Sequence, residues 1–103
     1  MSKKILPSCS EIYTPLLCEL YFKSKQACYT TEMYNALGNR FRLSNKQWNL
    51  KMRDGRNHWE NRVQSAKGNL VSKGYVYNVS HGCWGITEEG KGYLLSILLL
   101  RFI

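Results

Sequence analysis

The period of the hydrophobic positions changes along this chain, and the changes mark its elements. Between His58 and Lys73, the residues Trp59, Val63, Ala66 and Leu70 fall at i, i+4, i+7 and i+11, which sets them on one stripe of a 3.6-residue helix. At about 100° per residue the opposite side carries Asn61, Gln64, Ser65, Gly68 and Ser72, none of which gains from burial. Gly74 follows as a residue able to take positive φ and end the helix. The period then drops to two. Tyr75, Tyr77 and Val79 alternate with Val76 and Asn78, Ser80, His81 and Gly82 supply a turn, and Cys83, Trp84, Gly85 and Ile86 return as a second strand. Thr87, with Glu88 and Glu89 behind it, has the chemistry of an N-cap and first turn, so a last helix is predicted from there toward the C-terminus.

In the first half, Ile12, Leu16, Leu17, Leu20 and Tyr21 predict a helix over Ser10–Lys23. Pro15 inside that pattern either kinks the helix or is its first residue behind a Thr14 cap. Lys23 to Ala27 reads as a polar turn and Cys28–Tyr29 as a short strand beside the hairpin. Thr30 or Thr31 then begins a second helix through Phe41, with Met33, Leu37 and Phe41 inward. Ser44 is expected to cap a short turn carrying a buried Trp48, and Arg53, Asp54 and Gly55 to form the turn before the third long helix. The predicted whole is α+β: a winged helix-turn-helix with a three-helix core, a β-hairpin wing and an additional C-terminal helix. At 103 residues a single domain is expected over 1–103.

Charge sharpens this picture by its placement. Of a formal +8, the window from Arg40 to Lys73 holds +7, nine cations against Asp54 and Glu60. Lys51, Arg53 and Arg56 precede the third long helix, while Arg62 and Lys73 stand on one edge of its polar side and Lys67 on the other. Such a concentration is the footprint of phosphate binding, with a merely solvated basic face as the alternative. Asn57 and His58 at the helix start and His81 at the hairpin tip are further polar candidates, His58 and His81 being open to the plainer reading of solvent-exposed residues.

Other chemistries lack their parts. Seven acidic residues and two histidines form no catalytic set, and the glycines follow no phosphate-loop order. Cys9, Cys18, Cys28 and Cys83 have no metal-ligand spacing, so no cofactor or metal is expected, and with no signal peptide read, reduced thiols in a cytoplasmic protein are the expectation. The run from Tyr93 to Ile103 is apolar on nearly all sides but far shorter than the ~20 residues of a bilayer span, so no membrane anchor is expected. Its surface poses homodimerisation or contact with a downstream domain against simple packing on the first helix.

The stretches L-S-N-K-Q-W at 43–48, R-D-G-R at 53–56, W-E-N-R-V-Q-S-A-K-G-N-L-V-S-K-G at 59–74 and W-G-I-T-E-E-G at 84–90, with Pro15, Leu16 and Leu17 in the first helix, resemble the N-terminal winged-helix domain of Mrr-type restriction endonucleases. The resemblance spans most of the chain. It implies a DNA-binding module that the family joins to a nuclease domain of the D…E-x-K type, in systems that cut modified or foreign DNA. This chain ends after the last predicted helix, so cutting activity is not expected in it, and it is expected to be either a reading domain or a stand-alone binder. Carried over residue by residue, the resemblance makes Asn61, Arg62, Ser65 and Lys67 contact candidates, Arg62 having a rival structural role with backbone or a carboxylate such as Glu60 or Glu88. The leading expectation is double-stranded DNA binding, with the helix in the major groove and the wing on the backbone or minor groove. A dimeric phage- or plasmid-type regulator and a protein-interaction winged helix are the alternatives.

Overall fold

The computed structural model describes residues 5–23 and 28–101, apart from the side chains of Lys23 and Cys28. Its elements are α1 (Cys9–Lys23), β1 (Cys28–Tyr29), α2 (Thr30–Arg40), α3 (Asn45–Trp48), α4 (His58–Ser72), β2 (Val76–Ser80), β3 (Cys83–Ile86) and α5 (Glu88–Leu100). The architecture is α+β and of winged-helix type, as the periodicity predicts. The antiparallel sheet has the order β1-β3-β2, so the short strand before α2 does lie against the hairpin.

Each long helix named next begins where a side chain can accept the orphan N–H groups of its first turn. For α1 that residue is Ser8 rather than Thr14: the Glu11 N–H donates to Ser8 Oγ at 3.3 Å and the Ser8 N–H donates to Glu11 Oε1 at 2.9 Å. This reciprocal S-x-x-E box starts the helix before Ser10 and carries it through Pro15. Asn57 caps α4, accepting from the Glu60 N–H at 3.0 Å, and Thr87 caps α5, accepting from the Gly90 N–H at 2.9 Å. Gly74, at φ 82°, ends α4 in the left-handed region that glycine enters without a Cβ clash.

Trp59, Val63, Ala66 and Leu70 all reach zero exposure and pack with Ile12, Leu16, Leu17 and Leu20 of α1, Met33 and Leu37 of α2, and Trp84 and Leu94. The Trp59 indole N–H donates to the Tyr34 carbonyl at 3.1 Å, and Phe41 meets the same ring edge-on at 6.0 Å. The wing is bolted to α2 because both the N–H and the hydroxyl of Thr30 donate to the Gly82 carbonyl, at 2.9 and 3.0 Å.

Two expectations are corrected. The alternation along β2 does not carry into burial beyond Val76, since Tyr77 to Ser80 are all exposed; the register also slips between Asn78 and Ser80, with Val79 the extra residue of a bulge. Trp48 is half-buried, not buried, its ring lying against the backbone of Gly38 on a one-turn helix capped by Ser44 and Gln47. The C-terminal helix packs on α1 through Leu94, yet Leu99 and Leu100 remain 64% and 71% exposed. The turn expected after Lys23, and Phe102 and Ile103, lie outside the described residues.

A methyl group at Gly38 would overlap the Trp48 ring. Gly38→Ala is therefore expected to destabilise the fold in urea unfolding by about 1–2 kcal/mol, the overlap outweighing the better helix propensity of alanine. With Trp48→Leu already in place the sign reverses, and the same Gly38→Ala change becomes neutral or stabilising. Additive effects in the double mutant would refute this account of Trp48.

Candidate nucleic-acid interface

With its apolar stripe buried, α4 has no rotational freedom left, and its opposite side is outermost. Gln64, Ser65, Gly68 and Ser72 are exposed and Asn61 is half-buried. At the centre, a Cβ on Gly68 would meet nothing within 4 Å, so its lack of a side chain answers no crowding inside the domain.

Between α4 and the wing lies an open cleft of about 650 Å³, lined by Thr30, Gln64, Lys67, Asn78, Ser80, His81, Gly82 and Trp84. Among the described residues no carboxylate lines it. Trp84 forms the floor at 2% exposure, and the Lys67 ammonium stands 5.4 Å above its ring centroid as a cation–π contact. A hollow of about 410 Å³ lies on the other side of Gln64, lined by Tyr34, Arg56, Asn57, Glu60 and Asn61 as well as Gln64 itself. Gln64 thus forms the ridge between the two, and its Nε2 donates to the Tyr34 hydroxyl at 2.8 Å. Burial pushes the Tyr34 hydroxyl above its ordinary pKa, keeping it a neutral phenol.

The cations predicted from sequence sort into two groups. Lys51, Arg53 and Lys73 are exposed and form no ion pair among the described residues. Arg56 is also exposed but donates through Nε to Asp54 Oδ2 at 2.6 Å and through Nη1 to Asn61 Oδ1 at 3.2 Å. Hydrogen bonds from the Arg56 backbone and side chain hold the Asp54 carboxyl below its usual range. Arg40, by contrast, is bound at 2.8 Å to the buried Glu19 and so serves the α1–α2 contact.

Arg62 has the structural role open to it, and the partner is backbone rather than Glu60 or Glu88: its Nη1 donates to the Pro7 carbonyl at 2.7 Å. Its Nη2 lies 3.3 Å from His58 Nε2, which draws His58, half-buried, to that edge as well. Asn57 is occupied at both ends of its amide, since it caps α4 and donates to the Trp48 carbonyl at 2.8 Å. His81 stands exposed at the wing tip, inside the cleft.

Sequence reasoning missed Tyr34, Thr30, Asn78 and Ser80. Asn78 and Ser80 are separated by the bulge at Val79, which no strand period announces, and Tyr34 reaches the site through a helix–helix approach that no local pattern encodes. Of Trp59, Tyr75, Tyr77 and Trp84, the aromatic residues of α4 and the hairpin region, only Trp84 lines the cleft. Trp59 is core, Tyr75 stacks on Tyr93 at 4.5 Å, and Tyr77 lines neither hollow.

Among the described residues no helix is long and apolar enough to cross a membrane, and no three His, Cys, Asp or Glu side chains are grouped to hold a metal. No curated protein and no solved structure matches the chain. The family model described as the Mrr N-terminal domain does match, over residues 10–96, so most of this winged helix is accounted for and the chain belongs to that family, a module associated with restriction systems.

Proposed function

We propose that this chain is a double-stranded DNA-binding module of a restriction-type system, with α4 in the major groove and the wing along the backbone. The observation that carries the reading is the outer side of α4: exposed, hydrogen-bonding, uncharged at its centre, with cations beside it and a carboxylate-free cleft toward the wing. B-DNA's major groove, about 12 Å wide, admits a helix of this kind. Lys51, Arg53, Arg56, Lys67 and Lys73 hold phosphates, Gln64, Ser65, Gly68 and Ser72 face base edges, and His81 meets the backbone. Whether modification is read is decided by competition among unmodified, cytosine-methylated and adenine-methylated duplexes at fixed salt.

A second reading draws on Leu95, Leu99 and Leu100, whose exposure on α5 suits a partner chain or a second copy of this one. It is compatible with DNA binding through α4. Sedimentation at micromolar concentration tests the second-copy form of it, since a strict monomer removes the two-fold geometry a palindrome reader needs.

DNA affinity is expected to fall steeply with salt, and Lys67→Ala to reduce the logarithmic slope by about one with little change in stability. Arg62→Met is expected to do something different, lowering unfolding stability by about 1–2 kcal/mol as the Pro7 tie is lost. Affinity that does not respond to salt would sink the phosphate-binding reading.

Gly68→Ala offers a test with opposite signs. In the free protein it should stabilise by about 1 kcal/mol, because an exposed mid-helix glycine is the poorer helix former. In the complex the added methyl sits where the groove floor approaches, so DNA affinity should drop. A variant both more stable and equally tight in binding would show that nothing comes close there.

A further inference from the structure

We infer that Gln64 reads the major-groove edge of an adenine, held in reading position by the hydroxyl of Tyr34; this rests on the DNA-binding reading above. Adenine presents N7 as an acceptor and one outward N6–H as a donor, and a carboxamide matches both with one N–H and its carbonyl. The Gln64 amide has two N–H groups and one carbonyl. Its hydrogen bond to Tyr34, 2.8 Å long, uses one N–H; adenine reading requires that this be the N–H anti to the carbonyl, so that the syn N–H and the carbonyl stay side by side as the adenine-matching pair.

The other carboxamides at this helix are placed or occupied differently. Both ends of Asn57 serve the α4 cap and the Trp48 carbonyl. The carbonyl of Asn61 accepts from Arg56, and Asn69 is drawn to α1 by the Tyr13 hydroxyl at 2.8 Å. Of these side chains Gln64 alone borders both hollows, one turn from the open surface over Gly68, where a base edge can come close.

Tyr34 is itself rigidly placed. It lies on α2 between the buried Met33 and Leu37, and its carbonyl accepts from the fully buried Trp59 indole. A chain of contacts therefore runs from the core through Tyr34 to the Gln64 amide, which lowers the entropy lost when that amide engages a base. N6-methylation of a paired adenine replaces the outward N6–H, the hydrogen that the Gln64 carbonyl would accept. The site is thus an adenine reader that an N6-methyl group blocks.

The test is selection of bound duplexes from a randomised pool by the full chain and by Gln64→Ala, Gln64→Arg and Tyr34→Phe, each checked for folding by circular dichroism. The wild type should enrich an A·T pair in one orientation at one position, by on the order of ten- to hundred-fold. Gln64→Ala should keep binding but lose that enrichment, and Tyr34→Phe should weaken it while sparing total affinity. Gln64→Arg should move the preference to guanine, whose O6 and N7 suit a guanidinium, a switch that a purely structural glutamine would not produce. N6-methyladenine at the selected position should weaken wild-type binding and leave Gln64→Ala unaffected. A wild type that binds DNA with no adenine preference, or one whose preference survives Gln64→Ala, overturns the assignment while leaving DNA binding intact. Failure to retain any duplex overturns both.

Discussion

The complete burial of Trp59 fixes what the rest of the molecule can present. A fully buried indole in a close-packed interior is expensive to displace, and this one is held by a hydrogen bond to the Tyr34 carbonyl as well as by the edge of Phe41. With Val63, Ala66 and Leu70 it sets the rotation of α4 about its own axis. Once that rotation is set, the identities of the outward residues follow from helix geometry alone. The same tryptophan positions Tyr34, and through Tyr34 the Gln64 amide, so core packing and surface chemistry share one anchor.

Charge is partitioned along the same lines. The cations that brace the fold point to fixed acceptors behind or beside the outer face of α4: Arg40 to Glu19, Arg62 to the Pro7 carbonyl. Those at the rim have no such partner among the described residues or, like Arg56, a partner that is itself exposed. An exposed ion pair is worth little in water, so the Asp54 bond orients Arg56 more than it neutralises it. The net charge of the window from Arg40 to Lys73 therefore overstates the free positive field, and of its cations Lys67 alone lines the cleft toward the wing.

Much of this was legible in the sequence, for physical reasons that differ from residue to residue. The stripe from Trp59 to Leu70 is long and strictly periodic, and burial follows it without exception. Thr87 and Ser44 announce helix starts through chemistry confined to four residues, whereas Asn57, read as a polar contact candidate, is the cap of α4. The start of α1 is harder to place because Pro15, a residue favoured in a first turn, competes with the S-x-x-E box from Ser8 to Glu11. The bulge at Val79 is hidden because register depends on the partner strand, and the half-burial of Trp48 because it depends on how near Gly38 approaches. Arg62 could be given two roles from its spacing but not a choice between them, since its acceptor, Pro7, is fifty-five residues away.

What the fold does with its polar groups bears on how it would meet a duplex. Asn57, Arg62, His58 and Thr30 spend their hydrogen bonds on holding α4, the chain before α1 and the wing in one arrangement. The face left over is made of side chains that are short, neutral or already oriented. The Thr30–Gly82 bolt fixes the wing relative to α2, and the Thr87 hydroxyl, donating to the Gly74 carbonyl at 2.6 Å, fixes the end of α4 against the start of α5. A surface braced at both ends in this way has little to reorganise on contact, which favours recognition by a preformed shape over recognition by folding. On the proposed DNA-binding reading, the exposed glycine at its centre is a local cost in helix stability that the closer approach of a duplex would offset.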